Sequence, residues 1–78
     1  MKNRVKKILN SRGYKRIQLS DDLLEKLKVD TPHRFNKIWK NEVEMTQGEM
    51  IAFKNWLGLE TIDELFYVEE ENLVLEKD

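Results

Sequence analysis

Apolar residues recur along this chain at spacings of three and four, and residues that start or stop helices interrupt them at short intervals. Val5, Ile8 and Leu9, with Arg12, fall at i, i+3, i+4 and i+7, which predicts a first helix over about residues 2–12, closed by Gly13 in a left-handed C′ position. Residues 14–19, YKRIQL, read as a loop. Ser20 before Asp21 and Asp22 is a helix start: the hydroxyl accepts an orphan N–H and the acids suit the positive end of the helix dipole. Leu23, Leu24 and Leu27 then form the stripe of a second helix ending near Lys28. Thr31 as N-cap and Pro32 at N1 open a third, with Phe35, Ile38 and Trp39 inward and a stop at Asn41. Thr46 and Glu49 make a capping box, with Met45 and Met50 placed as a hydrophobic staple. The fourth helix runs on through Phe53 and Leu57, with Ile51 and Trp56 alongside, to Gly58. Thr61 to Glu64 repeats the box and predicts a short fifth helix through Leu65 and Phe66. The acidic run Glu69-Glu70-Glu71 and the apolar Leu73-Val74-Leu75 follow, and NLVLEKD fits one strand, frayed in a monomer or paired across a dimer.

The expected fold class is therefore all-α: a compact bundle of five short helices over residues 1–68, with residues 69–78 as an acidic and apolar C-terminal extension. Seventy-eight residues make one domain. A core this small rarely supplies more than about 3 to 5 kcal/mol of net stability, which makes a homodimer a natural expectation. The absence of cysteine removes disulfides and thiolate sites, and a single histidine builds neither a zinc site nor an acid–base pair. No cofactor, metal or small-molecule ligand is expected. No segment approaches the roughly 20 apolar residues needed to span a bilayer, and the N-terminus lacks a signal-peptide pattern. The chain is read as cytoplasmic, without a membrane partner.

The net charge of −1 conceals a division. Residues 1–40 hold twelve Lys and Arg against four Asp and Glu, whereas residues 41–78 hold two against eleven. Either one face is drawn to a polyanion, or the halves simply attract each other.

The third helix gives this charge a place. Opposite Phe35, Ile38 and Trp39 lie His33, Lys37 and Lys40, flanked by Arg34 and Asn36, with no carboxylate on that face of the helix. Ordinary solvated faces mix signs as i,i+4 pairs, whereas five donors without an acid match phosphates and base edges. Arg34 has the fork for guanine O6 and N7, Asn36 the amide for adenine N6 and N7, and the lysines suit guanine or phosphate. A merely solubilising face is the competing reading.

Residues 20–66 resemble the phage-repressor type of helix-turn-helix domain, the Cro/XRE-like or lambda-repressor-like family. DDLLEKLKVD resembles its first motif helix, RFNKIWKNEVEMT its recognition helix with the exit turn and next cap, and LGLETIDELF, with Gly58, Ile62, Asp63, Glu64 and Leu65, its closing segment. With the first helix included, the resemblance covers residues 3–66. It departs from the family in a longer 14–19 loop, a longer turn before the recognition helix, Lys28 where glycine is common, Leu24 where alanine is common, and Asp21 and Asp22 where a phosphate is usually met. The resemblance implies sequence-specific binding of double-stranded DNA by a small prokaryotic or phage transcriptional regulator, a homodimer on a pseudo-palindromic operator with half-sites roughly 34 Å apart. Thr31, His33, Arg34, Asn36 and Lys37 would approach bases. Lys6, Lys7, Lys15, Arg16, Ser20 and Lys40 would contact phosphates.

The remaining signals have simpler explanations. Trp39, Trp56, Phe53, Met45 and Met50 at helical spacing read as core rather than as a stacking platform, with Trp39 placed under the loop near Tyr14 and Ile17. No acid or nucleophile is positioned to make a catalyst of His33, and Asp63 and Glu64 read as first-turn charges, so an enzyme is not expected. The alternative function is a protein-interaction module, such as an antitoxin or phage-encoded modulator, on the same scaffold.

Overall fold

The computed structural model describes residues 2–67. The expected strand and the extension 69–78 lie outside the described residues. Four α-helices follow one another: α1 (Val5–Ser11), α2 (Asp21–Leu27), α3 (Pro32–Trp39) and α4 (Gln47–Leu57), and a 3-10 turn at Ile62–Leu65 closes the order. No strand occurs among the described residues.

Local chemistry accounts for the starts. Ser20 Oγ accepts from Leu23 N at 3.1 Å and Thr31 Oγ1 from Arg34 N at 3.1 Å. The Thr46 capping box is complete: Oγ1 accepts from Glu49 N at 3.2 Å, and Glu49 Oε1 accepts from Thr46 N at 2.8 Å.

The four helices end alike, because each finishes in a Schellman pair of hydrogen bonds around a left-handed residue. Gly13 N and Tyr14 N donate to Asn10 O and Leu9 O; Lys28 N and Val29 N to Glu25 O and Leu24 O; Asn41 N and Glu42 N to Ile38 O and Lys37 O; Gly58 N and Leu59 N to Asn55 O and Lys54 O. Two of the left-handed residues carry side chains, Lys28 at φ 62° and Asn41 at φ 61°. At Lys28 the Cβ meets the following carbonyl, a cost that glycine avoids. Lys28→Gly is therefore expected to raise stability by about 1 kcal/mol, read as a higher urea midpoint with unchanged slope.

Two expectations change. The first helix begins at Val5 rather than near residue 2, because Asn3 is committed elsewhere. Its Oδ1 accepts from Val5 N at 3.0 Å, its Nδ2 donates to Ile38 O at 2.9 Å, and its backbone exchanges two hydrogen bonds with the Asn41 amide, at 2.7 and 3.1 Å. The fifth helix is only a 3-10 turn. Arg4 N donates to Leu65 O at 2.6 Å, and Arg4 Nη1 donates to Glu64 O and Tyr67 O, so the carbonyls that would carry an α-helix onward are turned to the start of α1.

The core joins all five elements: Val5, Ile8, Leu9, Leu24, Leu27, Val29, Phe35, Ile38, Met45, Phe53, Leu57 and Leu65 are buried together. Phe35 stacks between Trp39 and Phe53, with centroids 5.8 and 6.1 Å away, and Trp56 meets Phe53 edge-on. Trp39, Met50 and Trp56 are half-buried against this cluster. Ile51 is 43% exposed, so it lies off the packed face of α4, and Ala52 takes an inward place instead.

The Asn3–Asn41 clamp fastens α1 to the end of α3. Asn41→Ala should lose about 2 kcal/mol, half from the left-handed backbone and half from unpaired Asn3 groups. Asn41→Gly, which keeps the backbone freedom, should lose about 1 kcal/mol. An Asn41→Gly variant as stable as the parent in urea unfolding would remove the clamp, whereas losses equal in the two variants would remove the backbone contribution.

Candidate nucleic-acid interface

The Thr31 cap and Pro32 fix where α3 begins, and the burial of Phe35 and Ile38 fixes which way it turns. His33, Asn36 and Lys40 are thereby left exposed, Lys37 is half-buried at its base, and Thr31 is exposed with its oxygen already accepting one bond. Lys15 and Arg16 stand across from this face. They line a cleft of about 360 Å³ together with Ile17, Leu19, Phe35, Asn36 and Trp39. The structure thus brings two basic loop residues beside the polar edge of α3 and places Trp39 beside Ile17, while Tyr14 stays exposed.

Arg34 is the correction. Its Nε donates to Glu49 Oε2 at 2.6 Å, and its Nη2 donates to Glu49 Oε1 at 2.7 Å and to Glu44 O at 3.1 Å. The fork expected to read guanine is therefore spent inside the molecule on a side chain only 3% exposed. Counting carboxylates along α3 alone missed this partner, which comes from the first turn of α4. Signals were present in the chain: Glu49 in a capping box uses one oxygen for the Thr46 N–H and leaves the other free, and Arg34 sits on the flank of α3 next to inward-facing Phe35.

The electrostatics of the pair follow from its burial. Removal from water pushes the Glu49 carboxyl up, but the Arg34 hydrogen bonds, the Thr46 N–H and the Arg34 charge outweigh this and hold it below the ordinary glutamate range. Hydrogen bonding to Glu49 raises the Arg34 guanidinium against a smaller desolvation effect, with Asp30 adding a weaker attraction. At the 3-10 turn the Glu64 carboxylate is also held low, first by the Thr61 N–H at 2.8 Å and also by the Glu60 N–H at 2.7 Å.

The other expected phosphate contacts are more scattered. Ser20 is exposed, but its oxygen caps α2 beside exposed Asp21 and Asp22, which oppose an approaching phosphate. Lys6 and Lys7 are exposed on α1 and are not among the residues lining the cleft. The residues that sequence reasoning missed altogether are Asn3 and the second role of Glu49. Both act by fixing α3, not by meeting a ligand.

Among the described residues no group of three His, Cys, Asp or Glu side chains is placed to hold a metal, and no helix is long and apolar enough to cross a membrane. No family model, curated protein or solved structure matches the chain. The functional reading therefore stands on residue chemistry and geometry.

Proposed function

We propose that this chain binds double-stranded DNA sequence-selectively through α3, as a small helix-turn-helix transcriptional regulator of Cro/XRE-like type acting as a homodimer. The observation that carries the reading is the set of donors brought together at α3: His33, Asn36 and Lys40 exposed along it, Lys37 half-buried, and Lys15 and Arg16 sharing with Asn36 a cleft whose lining, among the described residues, contains no acid. Major-groove readout needs such donors on a helix whose orientation is fixed, with cations at the edges to neutralise phosphates. Asn36 is the best-placed base reader because its amide is exposed and both donor and acceptor are available for adenine. His33, Lys37 and Thr31 join it; Arg34 does not read a base in this account but holds α3 against α4.

Lys15, Arg16, Lys37 and Lys40 are assigned to phosphates as a set, with Lys37 shared between base and backbone. Four such contacts give a log–log salt slope of about −3.6, so affinity falls roughly 100-fold between 50 and 200 mM salt. Fluorescence-anisotropy titrations of a selected duplex across that range test the reading. A slope near zero, or no binding at low salt, would contradict it.

The protein-interaction alternative draws on exposed Tyr14, Ile51 and Tyr67, apolar groups of the kind that partners cover. In that case duplexes of different sequence would bind alike and weakly, whereas a regulator separates them by orders of magnitude.

A further inference from the structure

The cleft beside α3 holds more than cations. Lys15, Arg16 and Asn36 are exposed on it, while Ile17, Leu19 and Trp39 line it half-buried, with the buried Phe35 among them. Ile17, Leu19 and Trp39 pack against the core yet stay partly open to water. A phosphate would use the two cations and the amide but gains nothing from hydrocarbon, so phosphate contacts alone leave the floor unused. Partly open apolar surface beside a few converging polar groups is the composition of small-molecule sites.

Size and charge narrow the occupant. An apolar cavity of about 150 Å³ accepts benzene, so this cleft, at about 360 Å³, has room for a fused pair of rings and a small polar group. Two cations and, among the described residues, no acid line it, which favours an anion over a neutral or cationic ligand. The Arg16 guanidinium has the planar fork that matches a carboxylate, and Lys15 adds a second charged donor. Trp39 is already stacked on Phe35, with centroids 5.8 Å apart and planes at 23°, and a flat ring laid on its open part extends that stack.

We propose that this cleft binds a small aromatic carboxylate, with the ring against Ile17, Leu19 and Trp39 and the carboxylate between Lys15 and Arg16. The site itself is independent of nucleic acid, whereas its consequence rests on the DNA-binding reading. A seated carboxylate occupies the cations and covers the Asn36 amide that a duplex needs, so ligand and duplex exclude each other. By linkage, each lowers the other's affinity by the same factor.

Naphthoate is the probe, titrated into the isotope-labelled full-length protein and followed by NMR. Efficiencies typical of drug-sized ligands, applied to its roughly 13 non-hydrogen atoms, give a Kd of about 1 mM. Saturable shifts should concentrate on the amides of Arg16, Ile17 and Leu19, the Asn36 side-chain amide and the Trp39 indole N–H. Acetate, which lacks the rings, and naphthalenemethanol, which lacks the charge, should each bind about tenfold more weakly. Lys15→Ala/Arg16→Ala, at exposed positions, should lose about tenfold in naphthoate affinity while keeping the spectrum of the folded parent. Shifts that fail to saturate, that centre elsewhere, that acetate or naphthalenemethanol reproduces at equal concentration, or that the double variant retains overturn the site. With naphthoate at about ten times its Kd, duplex should bind about tenfold more weakly, and acetate at that concentration should leave it unchanged. Duplex that binds unchanged beside seated naphthoate overturns the exclusion. A protein that binds naphthoate in the cleft but no duplex keeps the site and loses the DNA reading.

Discussion

Glu49→Ala is expected to destabilise the protein by about 3 kcal/mol, because it strips a half-buried guanidinium of its partner and leaves the Thr46 N–H uncapped. For a domain of this size that lowers Tm by on the order of 15 °C in calorimetry. Arg34 is 30% exposed and keeps some access to water, which places the loss at the lower end for broken pairs. The double variant Arg34→Met/Glu49→Met should recover to within about 1 kcal/mol of the parent, since an apolar pair removes both desolvation costs and forfeits mainly the cap. A double variant as unstable as Glu49→Ala would mean that the pair is not what fixes α3 to α4. The sign of the pH dependence is set by the depressed carboxyl. Glu49 contributes fully above the unfolded glutamate value of about 4.3, and the contribution is lost as pH falls through the lower folded value. Glu49→Gln should flatten that acid limb. An unchanged limb would assign acid sensitivity to other carboxylates, Glu64 among them.

Lys15→Ala/Arg16→Ala is expected to weaken duplex binding about 60-fold at 0.1 M salt and to make the log–log slope about 1.8 shallower, with stability nearly unchanged because both side chains are exposed. The loss should be the same for every duplex sequence, as befits phosphate contacts. Asn36→Ala should behave differently. It should cost about 1–3 kcal/mol against the preferred sequence and little against others, leaving the slope intact. If the two variants lose affinity in the same sequence-independent way, α3 is an electrostatic strip and not a reading helix.

The caps at Ser20, Thr31 and Thr46 and the stops at Gly13, Asn41 and Gly58 were legible in the sequence because each rests on chemistry within a few residues. The inward positions Phe35 and Ile38 were legible for the same reason, since a 3.6-residue period places them without reference to the rest of the chain. What escaped were pairings across the fold. Arg34 and Glu49 are 15 residues apart, and Asn3 and Asn41 are 38 apart. Local pattern names the residue but not the partner that packing brings to it. The Thr61 box shows the converse: its Glu64 does cap backbone N–H groups, yet Arg4 takes the following carbonyls and only a 3-10 turn forms. For the interface, the donors on α3 were visible at once, whereas the nearness of Lys15 and Arg16 to Asn36 and Trp39 depends on the path of a loop that has no periodicity to read.

Selection of duplexes from a random pool by the full chain, followed by sequencing, tests most directly whether the exposed side of α3 reads DNA. An enriched motif with two-fold symmetry, in which Asn36→Ala erases the preference at one base pair of each half-site, is the result this account predicts. A pool that remains unenriched at low salt, or an enriched motif that Asn36→Ala and Lys37→Ala leave untouched, would contradict it.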